Sequence, residues 1–350
     1  MITETPIIFP PYYEALASEY PGLTLGRIIL QEKGLYHVIT ASEGEQSAEV
    51  SGKFRFEASG PSDFPAVGDY VMVDTNNGDT AIIHRILHRR SLFLRRAAGT
   101  SNTEQAVAAN IDTVFICMAL NNDFNLRRLE RYLAAAWESG SIPVVLLTKA
   151  DLCEDIDSRL VQVQGSAIGV DILTTSAIKD ELDTLLSYLS PGKTVAFVGS
   201  SGAGKSTLIN HLLGEERLKT GGLRNDDRGR HTTTHRELII LPGGAMVIDT
   251  PGMRELGMWD ASEGIDTAFA DIEALADECR FSDCTHSGEP GCAVCKAIEE
   301  GTLSQSRWQS YLKLTAENAY AEDAESYLAA KEKKFKDIAK YLKTHSNKRK

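Results

Sequence analysis

The chain has 350 residues, of which 42% are hydrophobic and 25% are charged, and its formal net charge is −12. This composition is typical of a globular protein with two or three domains, and the negative charge argues against nucleic-acid binding by the whole surface. The sequence contains no apolar run of about 18 residues or more, so no membrane span is predicted. The N-terminus does not resemble a signal peptide. Six cysteines, several of them near a histidine, favour metal binding in a reducing cytoplasm over disulfide formation.

The first part of the chain predicts a small β-barrel. Short segments of alternating polarity are separated by Gly, Pro, Asn and Asp, at 27–30, 36–39, 48–50, 53–56, 70–73 and 81–83. Evenly spaced short strands with turn signals between them are typical of an all-β barrel. We therefore place an N-terminal barrel domain within residues 1–96.

A basic strip follows the last predicted strand of the barrel. Its residues are Arg85, Arg89, Arg90, Arg95 and Arg96, interleaved with His84, His88 and Phe93. Charge alone supports two interpretations equally. The strip is either a solvated edge or the phosphate-contacting surface of an oligonucleotide-binding barrel.

The middle of the chain predicts an α/β domain with a parallel sheet. Residues 97–110 are small and polar, which favours a linker. The continuous apolar runs at 113–119 and 143–147 are typical of buried parallel strands. Amphipathic helices are predicted from Leu126 and over 180–189. Alternation of strand and helix is the pattern of this fold class.

A phosphate-binding loop lies within this domain. The motif G-x-x-x-x-G-K-[ST] is matched by Gly199, Ser200, Ser201, Gly202, Ala203, Gly204, Lys205 and Ser206. A β-branched strand at 194–198 precedes the loop, and a helix beginning at Thr207 follows it. This context lets backbone N–H groups and a helix N-terminus converge on phosphates. We expect Lys205 to bind the β- and γ-phosphates and Ser206 to help hold Mg²⁺.

Further short motifs at strand ends resemble the guanine-binding and switch elements of GTPases. Thr148, Lys149, Ala150 and Asp151 resemble [NT]-K-x-D, Ser176 and Ala177 resemble the S-A element, and Asp249 and Gly252 belong to a D-x-x-G sequence. A carboxylate at Asp151 suits guanine, which presents two donors where adenine presents an acceptor. The segment 229–234 lies where the first switch is expected.

The order of these motifs is unusual, because the base-recognition elements precede the phosphate loop. A circular permutation preserves such a pocket, since ligand sites stay at the carboxyl ends of the strands when the connections change. The sequence therefore predicts a circularly permuted GTPase domain.

At this point the chain resembles a known family, the ribosome small-subunit-dependent GTPase A. The resemblance is carried by Gly68-Asp69, Arg89-Arg90, residues 108–112, the permuted motifs, residues 229–234 and a C-terminal cysteine cluster. It implies an OB-fold RNA-binding barrel over 1–96, a permuted GTPase domain over 97–257 and a helical zinc-binding domain with a basic tail over 258–350. One departure is Thr148, where many members carry asparagine.

The resemblance also implies a function. It implies GTP hydrolysis to GDP and phosphate, with Mg²⁺ bound alongside GTP, coupled to late maturation of the small ribosomal subunit. The expected partners are that subunit and its rRNA, and the protein is expected to be a cytoplasmic monomer without membrane contact. An alternative of a different class is an RNA-binding assembly module that uses guanine nucleotide as a structural switch with little turnover.

Four potential ligands near the C-terminus predict a structural zinc site. Cys279, Cys284, His286 and Cys292 lie within a short loop-rich segment, and three thiolates with one imidazole form a closed tetrahedral set. Cys295 offers an alternative, because Cys292-x2-Cys295 is also a ligand-like spacing. The family resemblance favours His286 and leaves Cys295 on the following helix.

The catalytic residue is less directly indicated than the binding residues. Many GTPases orient the attacking water with a glutamine after D-x-x-G, but this chain has Met253 there. His231 resembles the water-orienting histidine of the family, and we expect it to act with Lys205 in hydrolysis. The competing interpretation of His231 is an ordinary polar residue of a surface loop.

Overall fold

The computed structural model describes residues 7–32, 34–76, 80–96, 104–176, 182–218, 236–249 and 262–319, with the backbone alone at 95, 96 and 236. Ala177, His231, Gly252, Met253 and the basic tail at 331–350 therefore lie outside the described residues. None of the described helices is long and apolar enough to span a membrane.

The N-terminal region forms a closed five-stranded barrel. Its strands are β1 (Thr24–Gln31), β2 (Tyr36–Thr40), β3 (Gly44–Val50), β4 (Tyr70–Asp74) and β5 (Thr80–Ile86), and helix α1 (Pro11–Ala17) precedes them. Pairing runs β1-β2-β3-β5-β4 and closes from β4 back to β1, with β3 and β5 parallel. Apolar side chains fill the interior. The predicted OB-fold barrel is confirmed.

The predicted strand at 53–56 is wrong, because these residues belong to helix α2 (Gly52–Glu57). The Ser51 hydroxyl accepts a hydrogen bond from the N–H of Phe54 at 3.1 Å, which starts the helix. Phe54 packs on the barrel core, whereas Phe56 is 91% exposed. Two aromatic residues separated by one position resemble one face of a strand. Here only Phe54 packs against the barrel core, which is consistent with a helix and not with a strand.

The predicted linker at 97–110 is also wrong where the structure describes it. Strand β7 (Glu104–Ala109) pairs with β6 (Leu92–Arg96) in a two-stranded antiparallel sheet. The alanines of β7 are buried rather than solvated. Gly68 lies against the end of this strand, where an added Cβ would be 2.2 Å from the Ala109 carbonyl oxygen.

The central region forms a six-stranded portion of the main sheet. Its strands are β8 (Thr113–Ala119), β9 (Ile142–Thr148), β10 (Asp171–Thr174), β11 (Thr194–Gly199), β12 (Arg236–Ile240) and β13 (Met246–Asp249). The order is β10-β9-β8-β11-β13-β12, and β12 alone of these strands is antiparallel to its neighbour. Strands β8 and β11 are adjacent although β9 and β10 lie between them in the chain. This crossover places the phosphate loop at a topological switch point.

Four helices accompany this part of the sheet. They are α3 (Leu126–Glu138), α4 (Ile156–Gln164), α5 (Asp183–Leu186) and α6 (Lys205–Leu213). Within the described part of 180–189, the predicted helix is only the four residues of α5. Helix α6 ends at Gly214, whose φ of 71° is the left-handed conformation that glycine favours at a helix terminus.

The barrel and the central sheet are joined in two ways. Strand β1 pairs with β12, with Leu30 opposite Glu237, so the hydrogen-bonded sheet is continuous across the junction. Arg27 is fully buried beside it, with its guanidinium 4.2 Å from the Tyr70 ring and one nitrogen donating to the Asn110 carbonyl at 3.3 Å. The junction is therefore a packed interior rather than a hinge of exposed residues.

The described C-terminal region is helical and packs on α3. Its helices are α7 (Ser262–Ala268), α8 (Ala270–Asp277), α9 (Ala293–Glu299) and α10 (305–319). Helix α7 lies so close to α3 that a Cβ added to Gly264 would be 2.2 Å from the Ala134 carbonyl oxygen. Arg307 is buried and donates to Glu130 of α3 at 3.1 Å and to Asp271 of α8 at 2.6 and 2.9 Å.

Candidate functional site

The phosphate loop connects β11 to α6, and its conformation depends on glycine. Gly199, Gly202 and Gly204 have φ values of 140°, 79° and 88°, a region that other residues rarely adopt. A Cβ on Gly199 would lie 2.3 Å from the Cys117 carbonyl oxygen of the adjacent strand. The backbone is thus shaped around an open space at the N-terminus of α6, where anions bind favourably.

Lys205 folds back over this loop. Its Nζ donates to the carbonyl oxygens of Gly199 at 2.7 Å and Ser200 at 2.6 Å. The ammonium group therefore lies at the mouth of the loop. Phosphate binding would require Lys205 to exchange these carbonyls for phosphate oxygens, a stronger charge-assisted contact.

The structure brings the guanine-binding motifs against this loop. The Thr148 hydroxyl donates to the Ala203 carbonyl at 2.8 Å. Threonine, which stands here where many members of the family carry asparagine, therefore contacts the phosphate loop directly. The Ser176 hydroxyl donates to the Asp151 carboxylate at 2.6 Å. Lys149 has a left-handed backbone with φ 57°. Together with Ala150, the loop residues 199–206, Thr207 and Asp249, these residues are called the nucleotide pocket below.

Asp249 lies at the carboxyl end of β13, on the other side of the phosphate loop from the guanine motifs. Burial raises the pKa of its carboxyl group, the Lys205 ammonium lowers it, and Glu237, directly opposite on β12, raises it. The Asp249 carboxyl group and the Lys205 ammonium group therefore interact electrostatically. The Asp249 carboxylate and the Ser206 hydroxyl are oxygen ligands of the kind that Mg²⁺ prefers.

One residue of this region was missed by the sequence analysis. The Ser200 hydroxyl donates to the carboxylate of Asp123, which follows β8 in the loop Asn121-Asn122-Asp123. Arg128 donates to the same carboxylate at 2.8 Å. The sequence signal for Asp123 was a run of polar residues after a buried strand. The pairing of β8 with β11 was also needed, because it is what brings Asp123 to the phosphate loop.

The predicted metal ligands converge on one point. Ligand atoms of Cys279, Cys284, His286 and Cys292 all lie within 4.8 Å of one another, and we call this set the Cys3His cluster. The Cys279 and Cys292 sulfurs are 4.0 Å apart, and each is 3.5 Å from Nδ1 of His286. A tetrahedron with metal–sulfur bonds of about 2.3 Å has edges of about 3.8 Å. The four side chains therefore fit a bound metal ion.

Cys295 supports the Cys3His cluster from outside it. Its thiol donates to the His286 carbonyl at 3.4 Å, and its N–H donates to the Cys292 sulfur at 3.3 Å. Burial raises the pKa of the Cys292 thiol, but hydrogen bonds from Cys295 and His286 outweigh burial and lower it to about 6. A thiol that ionises so readily is prepared to bind a cation.

The basic strip divides into buried and exposed parts. Arg89 is mostly buried and donates to both carboxylate oxygens of Asp69, at 2.8 and 2.7 Å, and to the carbonyls of Ser62 and Phe64. Arg89 therefore belongs to the barrel framework, which neither interpretation of the strip anticipated. Arg85 and Arg90 are exposed, as are His84 and His88.

Comparison with known proteins agrees with this geometry. A family model described as RsgA GTPase matches residues 86–259. The chain is 53% identical to the small ribosomal subunit biogenesis GTPase RsgA 2 of Lactiplantibacillus plantarum, covering 85% of this chain and 84% of the relative. It is 46% identical to the small ribosomal subunit biogenesis GTPase RsgA of Opitutus terrae, covering 89% and 88%.

Two solved structures share the fold. YjeQ from Thermotoga maritima is 26% identical with a TM-score of 0.62, over 84% of this chain and 98% of that structure. YloQ, described as a circularly permuted GTPase, is 28% identical with a TM-score of 0.61, over 87% and 97%. The circular permutation inferred from the order of the motifs is confirmed, and the chain belongs to the RsgA GTPase family.

Proposed function

We propose that this protein is a GTPase that binds the small ribosomal subunit and couples GTP hydrolysis to the late maturation of that subunit. One observation carries the nucleotide assignment: Thr148 bonds to the phosphate loop, while Asp151, three residues later, is held by Ser176. Three motifs distant in sequence thus form one pocket suited to guanine and phosphate. We infer the partner, the small ribosomal subunit, from the relatives that are named as small ribosomal subunit biogenesis GTPases.

Within the pocket, each residue has a separate role. The Asp151 carboxylate accepts from the two guanine donors, and Lys149, Ala150, Ser176 and Ala177 line the base. The loop residues Gly199–Ser206 and Thr207 surround the phosphates with N–H groups, and Lys205 neutralises their charge. Ser206 and Asp249 would hold Mg²⁺, which supplies further positive charge to the phosphate oxygens when bound. The Gly252 N–H senses the γ-phosphate.

Hydrolysis requires a water molecule in line with the γ-phosphate. His231 is proposed to orient this water, because Met253 cannot do so. Such a role predicts slow turnover until a partner places His231 against the attacking water. Replacing His231 by alanine should reduce subunit-stimulated turnover while GTP affinity is nearly unchanged. Weakened affinity with normal turnover would make His231 a binding residue instead.

The Cys3His cluster is proposed to bind one structural zinc ion. Three thiolates and one imidazole leave no open coordination position for a reacting molecule, and such closed sets are typical of structural zinc. Zinc would hold the loop between α8 and α9 in place. The proposed division of the chain is a barrel domain over 1–96, a GTPase domain over 97–257 and a zinc-binding domain over 258–350.

The proposed rRNA-binding surface of the barrel combines exposed cations with an exposed ring. Helix α2 begins beside β5, where the Ser51 N–H donates to the Ile83 carbonyl at 2.9 Å. Arg55 and Phe56 are exposed on this helix, and His84 and Arg85 are exposed on the neighbouring strand β5. Cations bind phosphates and an aromatic ring stacks on unpaired bases. The basic tail at 331–350 would add a second contact for a cytoplasmic monomer.

Multiple-turnover GTP hydrolysis, measured with and without purified small subunits, tests the proposed function. We expect strong stimulation by small subunits and little by large ones. Equal stimulation by both would overturn the assignment of the partner. GTP binding without stimulated turnover would favour the alternative of an assembly module with a nucleotide switch.

The binding surface is tested in the same assay with Arg85→Gln and Phe56→Ala. Both variants should reduce stimulation and leave the unstimulated rate unchanged, and Arg85→Gln should also reduce the salt dependence of subunit binding. Arg89 is unsuitable for this test, because neutralising it leaves Asp69 buried without a counter-charge and destabilises the fold. Normal stimulation of both variants would place the subunit on another surface.

A further inference from the structure

The loop that follows β8 contacts the phosphate loop directly. Strands β8 and β11 are paired in parallel, with Cys117 opposite Gly199, so both strands end at the same edge of the sheet. The Ser200 hydroxyl donates to Oδ2 of Asp123, and the Ser200 carbonyl accepts from Lys205 Nζ at 2.6 Å. Ser200 is therefore held on one side by a carboxylate and on the other by the ammonium group that must move when phosphate binds.

The charge of Asp123 presents a problem for a phosphate site. A carboxylate beside a loop whose ligand carries several negative charges repels that ligand. Arg128 offsets this repulsion, because its Nη2 donates to Oδ1 of Asp123 at 2.8 Å and to the Asp123 backbone carbonyl at 2.5 Å. The side chains of Asp123 and Arg128 are 35% and 33% exposed, so the pair is only partly screened by water.

Arg128 occupies a fixed position in the first turn of α3. The Asn125 side chain caps this helix by accepting from the Arg128 N–H at 3.0 Å. Farther along α3, Glu130 bonds to the buried Arg307, and Arg131 bonds to Glu317 at 2.7 Å. The C-terminal helices therefore help to hold α3, and with it the guanidinium of Arg128, in place.

We infer that Asp123 and Arg128 are a positioning pair for the phosphate loop. Asp123 anchors the Ser200 hydroxyl, and Arg128 cancels the repulsion between the Asp123 carboxylate and the phosphates of the nucleotide. Neither residue contacts the nucleotide. The inference deepens the proposed function, since it takes the ligand to be a guanosine di- or triphosphate.

The test measures dissociation constants for GTP and GDP at low and high salt. Arg128→Ala leaves the carboxylate uncompensated, so GTP binding should weaken roughly three- to tenfold at low salt. GDP binding should weaken less, because GDP carries less negative charge. High salt should reduce both effects through screening. Arg128→Lys, which keeps the charge, should retain most of the affinity.

Two further variants separate charge from structure. Asp123→Asn keeps an acceptor for Ser200 and removes the charge, so combining it with Arg128→Ala should restore GTP affinity to near that of Asp123→Asn alone. Arg127→Ala is the matched control, because Arg127 is an exposed neighbour on α3 with a bond to Gln309 at 3.4 Å. It should bind both nucleotides as the unmodified protein does.

The outcomes are distinct. An equal loss of GTP and GDP affinity in Arg128→Ala, insensitive to salt and not restored by Asp123→Asn, would show a purely structural contact and overturn the inference. An unmodified protein that binds no guanine nucleotide would instead overturn the proposed function.

Discussion

The nucleotide pocket and the Cys3His cluster are built in opposite ways. The pocket is shaped mainly by backbone: three glycines with positive φ, parallel strand ends and a helix N-terminus. The cluster is shaped by four side chains on a loop-rich segment between α8 and α9. A backbone site exists before its ligand arrives, whereas a side-chain cluster gains much of its stability from the metal.

This difference predicts how each site fails. Loss of one side chain in the nucleotide pocket should remove a chemical function and leave the fold intact. Loss of one ligand in the Cys3His cluster should release the metal and unfold the surrounding loop, because the bonds from the metal to the other ligands are lost with it.

The largest effect is expected for Lys205→Ala. The change removes the ammonium group that lies 2.6 Å from the Ser200 carbonyl and that is expected to neutralise the phosphates. GTP hydrolysis should fall by at least about a hundredfold, with little change in melting temperature. Turnover near that of the unmodified protein would mean that the loop does not bind the reacting phosphates.

Cys284→Ser should release the metal and lower the stability of the C-terminal region, while GTP affinity is retained. Elemental analysis gives the metal content, and limited proteolysis reports local unfolding. Cys295→Ser is the matched control and should keep the metal, because Cys295 bonds to the His286 carbonyl rather than joining the ligand set. Metal lost from Cys295→Ser but kept in His286→Ala would instead support an all-cysteine site.

Asp151→Asn should shift the base preference from guanine towards xanthine. The carboxylate that is proposed to accept from guanine becomes an amide that can donate to the corresponding carbonyl of xanthine. GTP affinity should fall by about tenfold or more, since a buried donor of guanine loses its partner, and xanthosine triphosphate should bind better. Competition binding with both nucleotides measures the exchange. An unchanged preference for GTP would show that Asp151 does not contact the base.

The smallest effect is expected for Thr148→Val. It removes the hydroxyl that bonds to Ala203 at 2.8 Å while keeping the shape of the side chain. One neutral hydrogen bond contributes about 1 kcal/mol, or about fivefold in GTP affinity. Thr148→Ser, which keeps the hydroxyl, is the control. A loss above a hundredfold in Thr148→Val would mean that the pocket depends on side chains as strongly as the Cys3His cluster does.

The motifs were predictable because they are local. Positive φ values at Gly199 and Gly204, the cap at Gly214 and the buried β-branched strand before the loop all follow from residue types within a few positions. The order of the motifs was enough to infer the permutation. The spacing of the potential ligands from Cys279 to Cys292 likewise indicated a metal-binding cluster.

Where the sequence analysis was wrong, the deciding contacts came from elsewhere in the chain. Phe54 and Phe56 resemble a strand, but the barrel covers one ring and leaves the other in solvent. The alanines of β7 resemble a linker, but the strand pairs with β6 and its alanines are buried. Polarity and size within a short window cannot show which face of a segment another element will cover.

Glycines, motif side chains and ligand spacing act over a few residues, so the phosphate loop and the Cys3His cluster were predictable from the sequence. Packing between distant segments makes Arg89 a framework residue while its neighbour Arg90 is exposed, since the partner of Arg89 is Asp69, twenty positions away. It also placed Asp123 beside Ser200, across 77 residues. A charged side chain is structural or exposed according to which groups lie within bonding distance of it. The fold, and not the local sequence, decides which groups those are.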